Sequence, residues 1–220
     1  MEAEQRNGAA PFLTIGSDPM EPLMDERLLK TDTVVFDVGK VLLTFEPERV
    51  ASLLPAEHRQ SLKEAMFGPI HRWSEFDLGQ KPNEQIAGEI AEAAGVPGGA
   101  EMVLEALYRF PETMEPLPLY HCIGPLKKLG KRLYALTNYA EPSFTLTREA
   151  FPVLQELDGE VVSSREKLCK PEKELYRRLM DRYGIDPGSS LYIDDVEANV
   201  RAGAEIGFRV WHYTGDDRGP

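Results

Sequence analysis

The chain has 220 residues, enough for one complete α/β core with a small accessory module. Hydrophobic residues make up 42% and charged residues 28%, which excludes global disorder. Acidic residues outnumber basic ones 37 to 25, for a formal net charge of −12. That balance argues against nucleic-acid or membrane partners, which need a basic footprint, but leaves room for a small anionic substrate held by a local cation.

Cys122 and Cys169 show no CxxC spacing, so neither a disulfide framework nor a zinc site is expected. The N-terminus is acidic without an apolar core, and no apolar run approaches the ~18 residues that span a bilayer. A soluble, cytoplasmic protein is the expectation. Residues 1–30, with Gly8, Pro11, Gly16, Pro19 and Pro22, predict a loose extension with a short helix near Asp25–Lys30.

The first strong element is the run Thr33–Asp37, β-branched and aromatic without alternation, as in a strand buried on both faces. Arg132–Thr137, Leu191–Asp194 and Phe208–Trp211 are similar, and Glu160–Val162 is a weaker fifth strand. Leu175, Leu179 and Met180 predict a helix closed by Gly184. Val200, Ala204 and Ile206 predict another, closed by Gly207. Strands alternating with helices predict an α/β doubly wound parallel sheet.

Residues 47–117 break that alternation. Helices are expected over Glu57–Phe67, Asn83–Ala94 and Glu101–Tyr108, with no convincing strand. The expected organisation is a core over 31–46 and 118–220, with a small helical domain over 47–117 inserted after the first strand.

Asp37 ends the first strand, and Asp194 and Asp195 end the fourth. Ligands of open α/β sheets bind outside the carboxyl ends of the strands. If those two strands are neighbours, three carboxylates converge, and such a cluster calls for a cation; Mg²⁺ suits hard oxygen ligands. Alternatively, Asp195 could simply cap the helix from Val196. Thr137 and Asn138 could donate to phosphate oxygens or form an ordinary turn. Pro171 suits a first helical position, placing Lys170 just outside a helix N-terminus, where a cation gains nothing from the dipole. That placement makes sense facing carboxylates or a phosphate, or else as a solvated lysine.

These segments, Val34–Leu43, Leu136-Thr137-Asn138, Lys170-Pro171-Glu172 with Tyr176, and Tyr192–Asp195 with Asn199, resemble in their order the haloacid dehalogenase-like hydrolase superfamily. The resemblance implies a Rossmann-like core with a helical cap over 47–117, and Mg²⁺-assisted phosphoryl transfer through an aspartyl-phosphate. It casts Asp37 as nucleophile and metal ligand, Lys170 as the neutralising cation, and Thr137 with Asn138 as phosphate binders. Asp194, Asp195 and the Gly39 carbonyl complete the metal site, with Asp195 the direct ligand of the pair.

Most phosphatases of that superfamily carry a second Asp two residues after the nucleophile as general acid and base; Gly39 stands there. A subgroup with Asp-x-Gly-Asn or Asp-x-Gly-Gly, which includes sugar-1-phosphate phosphatases, is more similar, although Lys40 replaces its Asn or Gly. The expected substrate is therefore a small phosphorylated metabolite, a sugar phosphate. The alternatives are a scaffold silenced at Gly39 and Lys40 that binds or regulates, and a C–halogen hydrolase using the same Asp37 without Mg²⁺. In the insertion, His71, Arg72 and Asp77 could reach a substrate or lie solvated, while Phe67, Trp73 and Phe76 are expected in the insertion's core. His58, His121 and His212 share no ligand spacing.

Overall fold

The computed structural model describes residues 12–13, 24–70 and 72–215. Its centre is a five-stranded, fully parallel sheet of β3 (Thr33–Phe36), β4 (Arg132–Thr137), β5 (Gly159–Val162), β6 (Ser190–Asp194) and β7 (Arg209–His212). The strand order is β5-β4-β3-β6-β7. After β3 the chain adds β4 and β5 on one side, then returns to add β6 and β7 on the other. The order therefore reverses around β3, where doubly wound sheets open their ligand crevice. A short antiparallel ribbon of β1 (Phe12–Leu13) and β2 (Met24–Asp25) lies apart from this sheet.

Both faces of the sheet are covered, which explains strands without polar alternation. Val35, Tyr134, Leu136, Val161 and Tyr192 pack under α10 (Lys173–Tyr183) and α11 (Glu197–Ile206). Val34, Phe36, Leu133, Ala135 and Ile193 point the other way, toward α1 (Glu26–Leu29) and α7 (Ile123–Lys128). Gly184 and Gly207 close α10 and α11 in the left-handed conformation, as expected. Gly203 in α11 lies against Tyr192: a Cβ there would sit 2.6 Å from Cδ1 of the ring.

Residues 47–117 hold α2 (Pro47–Ser52), α3 (Arg59–Phe67), α4 (Trp73–Leu78), α5 (Asn83–Ala93) and α6 (Ala100–Arg109). The apolar stripe Ile86, Ala87, Ile90 and Ala91 of α5 is buried, as its spacing predicts. The apolar residues of these helices form one continuous cluster with the α7 face of the sheet. Between β4 and β5 stands α8 (Ser143–Ala150), and α9 (Ser163–Glu166) follows β5 directly.

Several expectations need correction. The short helix expected near Asp25–Lys30 is present as α1, but residues 24–30 are not loose: Met24 and Leu28 are fully buried, Asp25 caps α1, and the Arg27 guanidinium stacks 3.6 Å from the Trp211 ring. The remainder of the 1–30 expectation lies outside the described residues, apart from β1. Pro171 is not the first helical residue, because α10 starts at Lys173 with Glu172 as its cap. Ala204 is exposed and Ile206 half-buried; α11 buries Val200, as expected, together with Asn199, Ala202 and Gly203. Among the described residues, no helix is long and apolar enough to cross a membrane.

The close approach at Gly203 yields a test. Gly203→Ala should cost about 1–3 kcal/mol, the usual penalty for overpacking a rigid contact. Urea unfolding measures it, and an unchanged midpoint would show that the contact relaxes freely.

Candidate active site

The register of the parallel strands builds the site. Phe36 pairs with Ile193, so the acids that follow, Asp37 and Asp194, leave adjacent strands side by side. The Asp37 amide donates to the Ile193 carbonyl at 2.9 Å, extending the ladder to the first of these acids. Carboxylate oxygens of Asp37, Asp194 and Asp195 all lie within 4.8 Å of one another.

One ammonium holds this cluster together. Lys170 Nζ lies 2.9 Å from Asp37 Oδ1 and 2.7 Å from Asp194 Oδ2, and donates to the Leu136 carbonyl at 2.9 Å. Lys170 is only 4% exposed, so the solvated-lysine alternative does not hold. Its backbone is fixed by Asn138: the Lys170 amide donates to Oδ1 at 2.8 Å, and Nδ2 donates to the Lys170 carbonyl at 3.1 Å. The Asn138 amide lines the cleft and brackets the lysine's main chain, with one N–H left over.

The two late acids are not equivalent. Asp194 is fully buried and accepts from Lys170, the Tyr192 hydroxyl, Asn199 Nδ2 at 3.0 Å and the Val196 amide at 2.8 Å. Asn199 is itself placed by the Tyr176 hydroxyl, which donates to its carbonyl at 2.9 Å. Asp195 is half-buried, and its side-chain ion pair is with Lys40, whose Nζ lies 4.0 Å away and is half-exposed. Asp195 does not cap α11; the Val196 amide is taken by Asp194.

The electrostatics follow these contacts. Burial pushes Asp37 up to about 7, with Lys170 opposing and Asp194 reinforcing the rise. Burial also works against Asp194, but the Lys170 ammonium and the Tyr192 and Val196 donors hold it below the ordinary carboxylate range. Burial, then the charge of Asp194, raise Asp195. Burial disfavours the Lys170 charge, yet the two carboxylates keep it firmly protonated.

The buried Thr137 hydroxyl, at the end of β4, has no hydrogen-bond partner among the described residues. Thr137 follows Leu136, whose carbonyl accepts from Lys170, and an unpaired buried donor at that strand end can serve an acceptor such as a phosphate oxygen. Gly39 lines the same cleft, and a Cβ there would meet only Phe45 Cβ, at 3.8 Å. Lys40 adopts φ +58°, a left-handed conformation that suits Asn or Gly better than a long side chain.

The helices over 47–117 close the cleft to a cavity of about 190 Å³. Its floor is Asp37, Gly39, Asn138 and Asp195, and its walls are Phe45, Trp73, Phe110, Tyr139 and Val196. Trp73 stacks 5.6 Å from Phe110 and 5.9 Å from Phe45, so the wall is a packed aromatic group. Phe76 is fully buried and Phe67 partly so, as expected. Of the polar candidates in this segment, Arg72 is committed to Glu75 and Glu89. Asp77 does face the cavity, and His71 lies outside the described residues.

Two substitutions separate structural from free carboxylates. Asp194→Ala should cost about 3–5 kcal/mol, because it strips a buried ammonium of a partner. Asp195→Ala should stay within about 1 kcal/mol of the parent. Equal losses in urea unfolding would contradict this division. Asp37→Asn should be stabilising in metal-free buffer, because the folded state raises the pKa of Asp37 and so penalises its ionised form. The gain should be absent near pH 4 and grow through pH 7, by about 2–4 °C in melting temperature for each kcal/mol.

Comparison with known proteins agrees with this architecture. The model of the haloacid dehalogenase-like hydrolase family matches residues 31–207. The chain is 26% identical over 187 residues to the sesquiterpene phosphatase astK of Aspergillus oryzae, covering 82% of this chain and 88% of that protein. It is similar in fold to the HAD family enzyme bt-2542 of Bacteroides thetaiotaomicron, solved in complex with magnesium and inorganic phosphate. There the TM-score is 0.67 at 22% identity, covering 82% of this chain and 93% of that one. The L-2-haloacid dehalogenase of Xanthobacter autotrophicus shares the fold with a TM-score of 0.58 at 17% identity, covering 82% and 76%. With the family match extending from β3 to the end of α11, across every acid and the lysine of the cluster, this chain belongs to the haloacid dehalogenase-like hydrolases.

Proposed function

We propose that this hydrolase is a Mg²⁺-dependent phosphatase of small phosphomonoesters, with Asp37 as nucleophile. The observation that carries the reading is Lys170 Nζ held 2.9 Å from Asp37 Oδ1 in a cluster of carboxylates, with a partnerless threonine hydroxyl at the end of the neighbouring strand β4. A carboxylate attacking a phosphate dianion meets repulsion, and a fixed cation with oriented donors is the means of reducing it.

In this reading Asp37 attacks phosphorus, forming an aspartyl-phosphate as the bond to the leaving oxygen breaks. Lys170 offsets charge on both the nucleophile and the transferring group. Thr137 Oγ1 donates to a phosphate oxygen, and Asn138 keeps Lys170 in place and offers its remaining N–H. Asp37, Asp195 and the Gly39 carbonyl would hold Mg²⁺, with Asp194 behind them, its oxygens engaged by protein donors. The donor set fits that ion, being all hard oxygen. When bound, the metal supplies charge neutralisation and orientation of the phosphate.

The helices over 47–117 act as a cap that excludes water and contacts the leaving group. A sugar would need several polar partners for its hydroxyls on those walls, and beyond Asp77 and Lys40 the walls present the apolar Phe45, Trp73, Phe110 and Val196 and the ring of Tyr139. They favour an apolar alcohol over the sugar suggested by the first motif. The similarity to a protein named a sesquiterpene phosphatase points the same way.

The test is a panel of alkyl, aryl, isoprenoid and sugar phosphates, assayed with and without Mg²⁺. We expect Mg²⁺-dependent turnover, fastest with apolar esters, and a loss of at least about 10³-fold in Asp37→Asn. Asp195→Ala should weaken Mg²⁺ binding in calorimetric titration. Failure of every ester would favour a silenced scaffold, and Mg²⁺-independent release of halide from a haloacid would favour C–halogen hydrolysis.

A further inference from the structure

Gly39 leaves the core without a side chain to protonate a leaving alkoxide. The cap presents one. Asp77, near the end of α4, faces the same cavity as Asp37. Its side chain accepts no hydrogen bond and makes no ion pair among the described residues, unlike the other acid on α4, Glu75, which pairs with Arg72 and Lys81. A carboxylate facing an aromatic-walled cleft without a partner is costly, and the cost is relieved when the group holds its proton.

Its placement is also fixed from below. The Asp77 carbonyl accepts from Ser163 Oγ at 2.5 Å, and that same oxygen accepts from the Tyr139 amide at 2.9 Å. Two residues on, Gly79 turns with φ +62° directly against the start of α9, where a Cβ would come within 2.6 Å of the Ser164 carbonyl. The Lys167 ammonium closes the turn on the Gly79 carbonyl. The end of α4 is thus docked on the core strand β5 and its following helix, at the edge of the reacting centre.

We propose that Asp77 is the general acid and base of the phosphatase reaction, supplied by the cap in place of a core residue at position 39; this rests on the reading of Asp37 as the nucleophile. In the first step the neutral Asp77 carboxyl gives its proton to the leaving oxygen as the P–O bond breaks and the Asp37–phosphorus bond forms. The products are the free alcohol, the aspartyl-phosphate and the Asp77 carboxylate. In the second step that carboxylate takes a proton from water, whose oxygen attacks phosphorus. The bond between phosphorus and the Asp37 oxygen breaks, inorganic phosphate leaves, Asp37 is again a carboxylate and Asp77 is again protonated. Burial in the cleft, followed by the charge of Asp37, pushes the Asp77 carboxyl up to about 7, in keeping with a proton carrier near neutrality. The same requirement makes the cap part of the chemistry: with α4 withdrawn, the acid is withdrawn too.

The experiment compares Asp77→Asn with the parent on two esters, 4-nitrophenyl phosphate and a simple alkyl phosphate. Nitrophenolate leaves without help, and an alkoxide does not. We expect kcat/KM for the alkyl ester to fall by about 10²–10⁴-fold, the usual worth of general acid catalysis, and kcat/KM for the nitrophenyl ester to stay within about threefold. Rapid mixing with the nitrophenyl ester should also show a burst of nitrophenolate in the variant, because water attack on the aspartyl-phosphate has lost its base. Equal losses on both esters without a burst, or unchanged kinetics on both, would overturn the proposal. Urea unfolding of the variant guards against misfolding, and Asp77→Glu, which restores a carboxyl, should recover part of the alkyl activity. If the parent hydrolyses neither ester, the phosphatase reading itself fails; if Asp37→Asn is dead and Asp77→Asn is normal, only the assignment of Asp77 does.

Discussion

Three carboxylates share a space too small for their charges, and the Lys170 ammonium makes that possible. It is buried between Asp37 and Asp194, and its third contact is the Leu136 carbonyl. Such a group would be strongly unfavourable alone, as would the acids without it. Each element around it follows from this exchange. Asn138 fixes the lysine's backbone, Tyr192 and Asn199 satisfy the rest of Asp194, and Tyr176 holds Asn199. Only partly committed are Asp37 toward the cleft and Asp195 at its rim beside Lys40, and the Thr137 hydroxyl has no partner among the described residues. The partly satisfied groups are therefore the ones that can meet a ligand.

The sheet makes this cluster possible through topology. Because β3 lies between β4 and β6, its carboxyl end receives residues from both neighbours, and the loop before α10 adds the lysine. The helical segment over α2–α6 shares a continuous apolar core with the sheet. It is latched near the site by polar contacts, among them the Asn83 amide on the Glu141 carbonyl at 2.7 Å. Apolar continuity fixes where this layer lies. The polar latches fix which face of α4 meets the cleft.

Much of this was legible in the sequence, and the pattern of misses is physical. Strands buried on both faces announce themselves by composition, and Asp37 and Asp194 stood out as acids ending such strands. The division of labour between Asp194 and Asp195 was not legible, since it depends on donors from Tyr192, Asn199 and Lys170 that meet only in three dimensions. The bonds of the Asn138 amide to the Lys170 main chain were not legible, because that partner lies 32 residues away. In α11 the apolar count suggested Ala204, but the buried positions include Asn199 and Gly203, a polar anchor and a contact surface that hydrophobic spacing overlooks. Asp77 was visible only as one polar residue in a short amphipathic stretch. What sets it apart is the lack of a partner, which no spacing encodes.

The central claim is that Lys170 holds mutually repelling acids in place, and the pH dependence of Lys170→Met tests it most directly. Unfolding of this variant and the parent should be followed in metal-free buffer from pH 7.5 to pH 5. In the parent, Asp194 has a lowered folded-state pKa, so its contribution is constant across this range and is lost only below about pH 4. In the variant the buried acids lose their cation and their folded-state pKa values rise, so ionisation is penalised at neutrality and the penalty is relieved by acid. The account predicts a deficit of about 3–5 kcal/mol at pH 7.5 that shrinks steadily toward pH 5. A variant as stable as the parent at neutrality, or a deficit independent of pH, would contradict it.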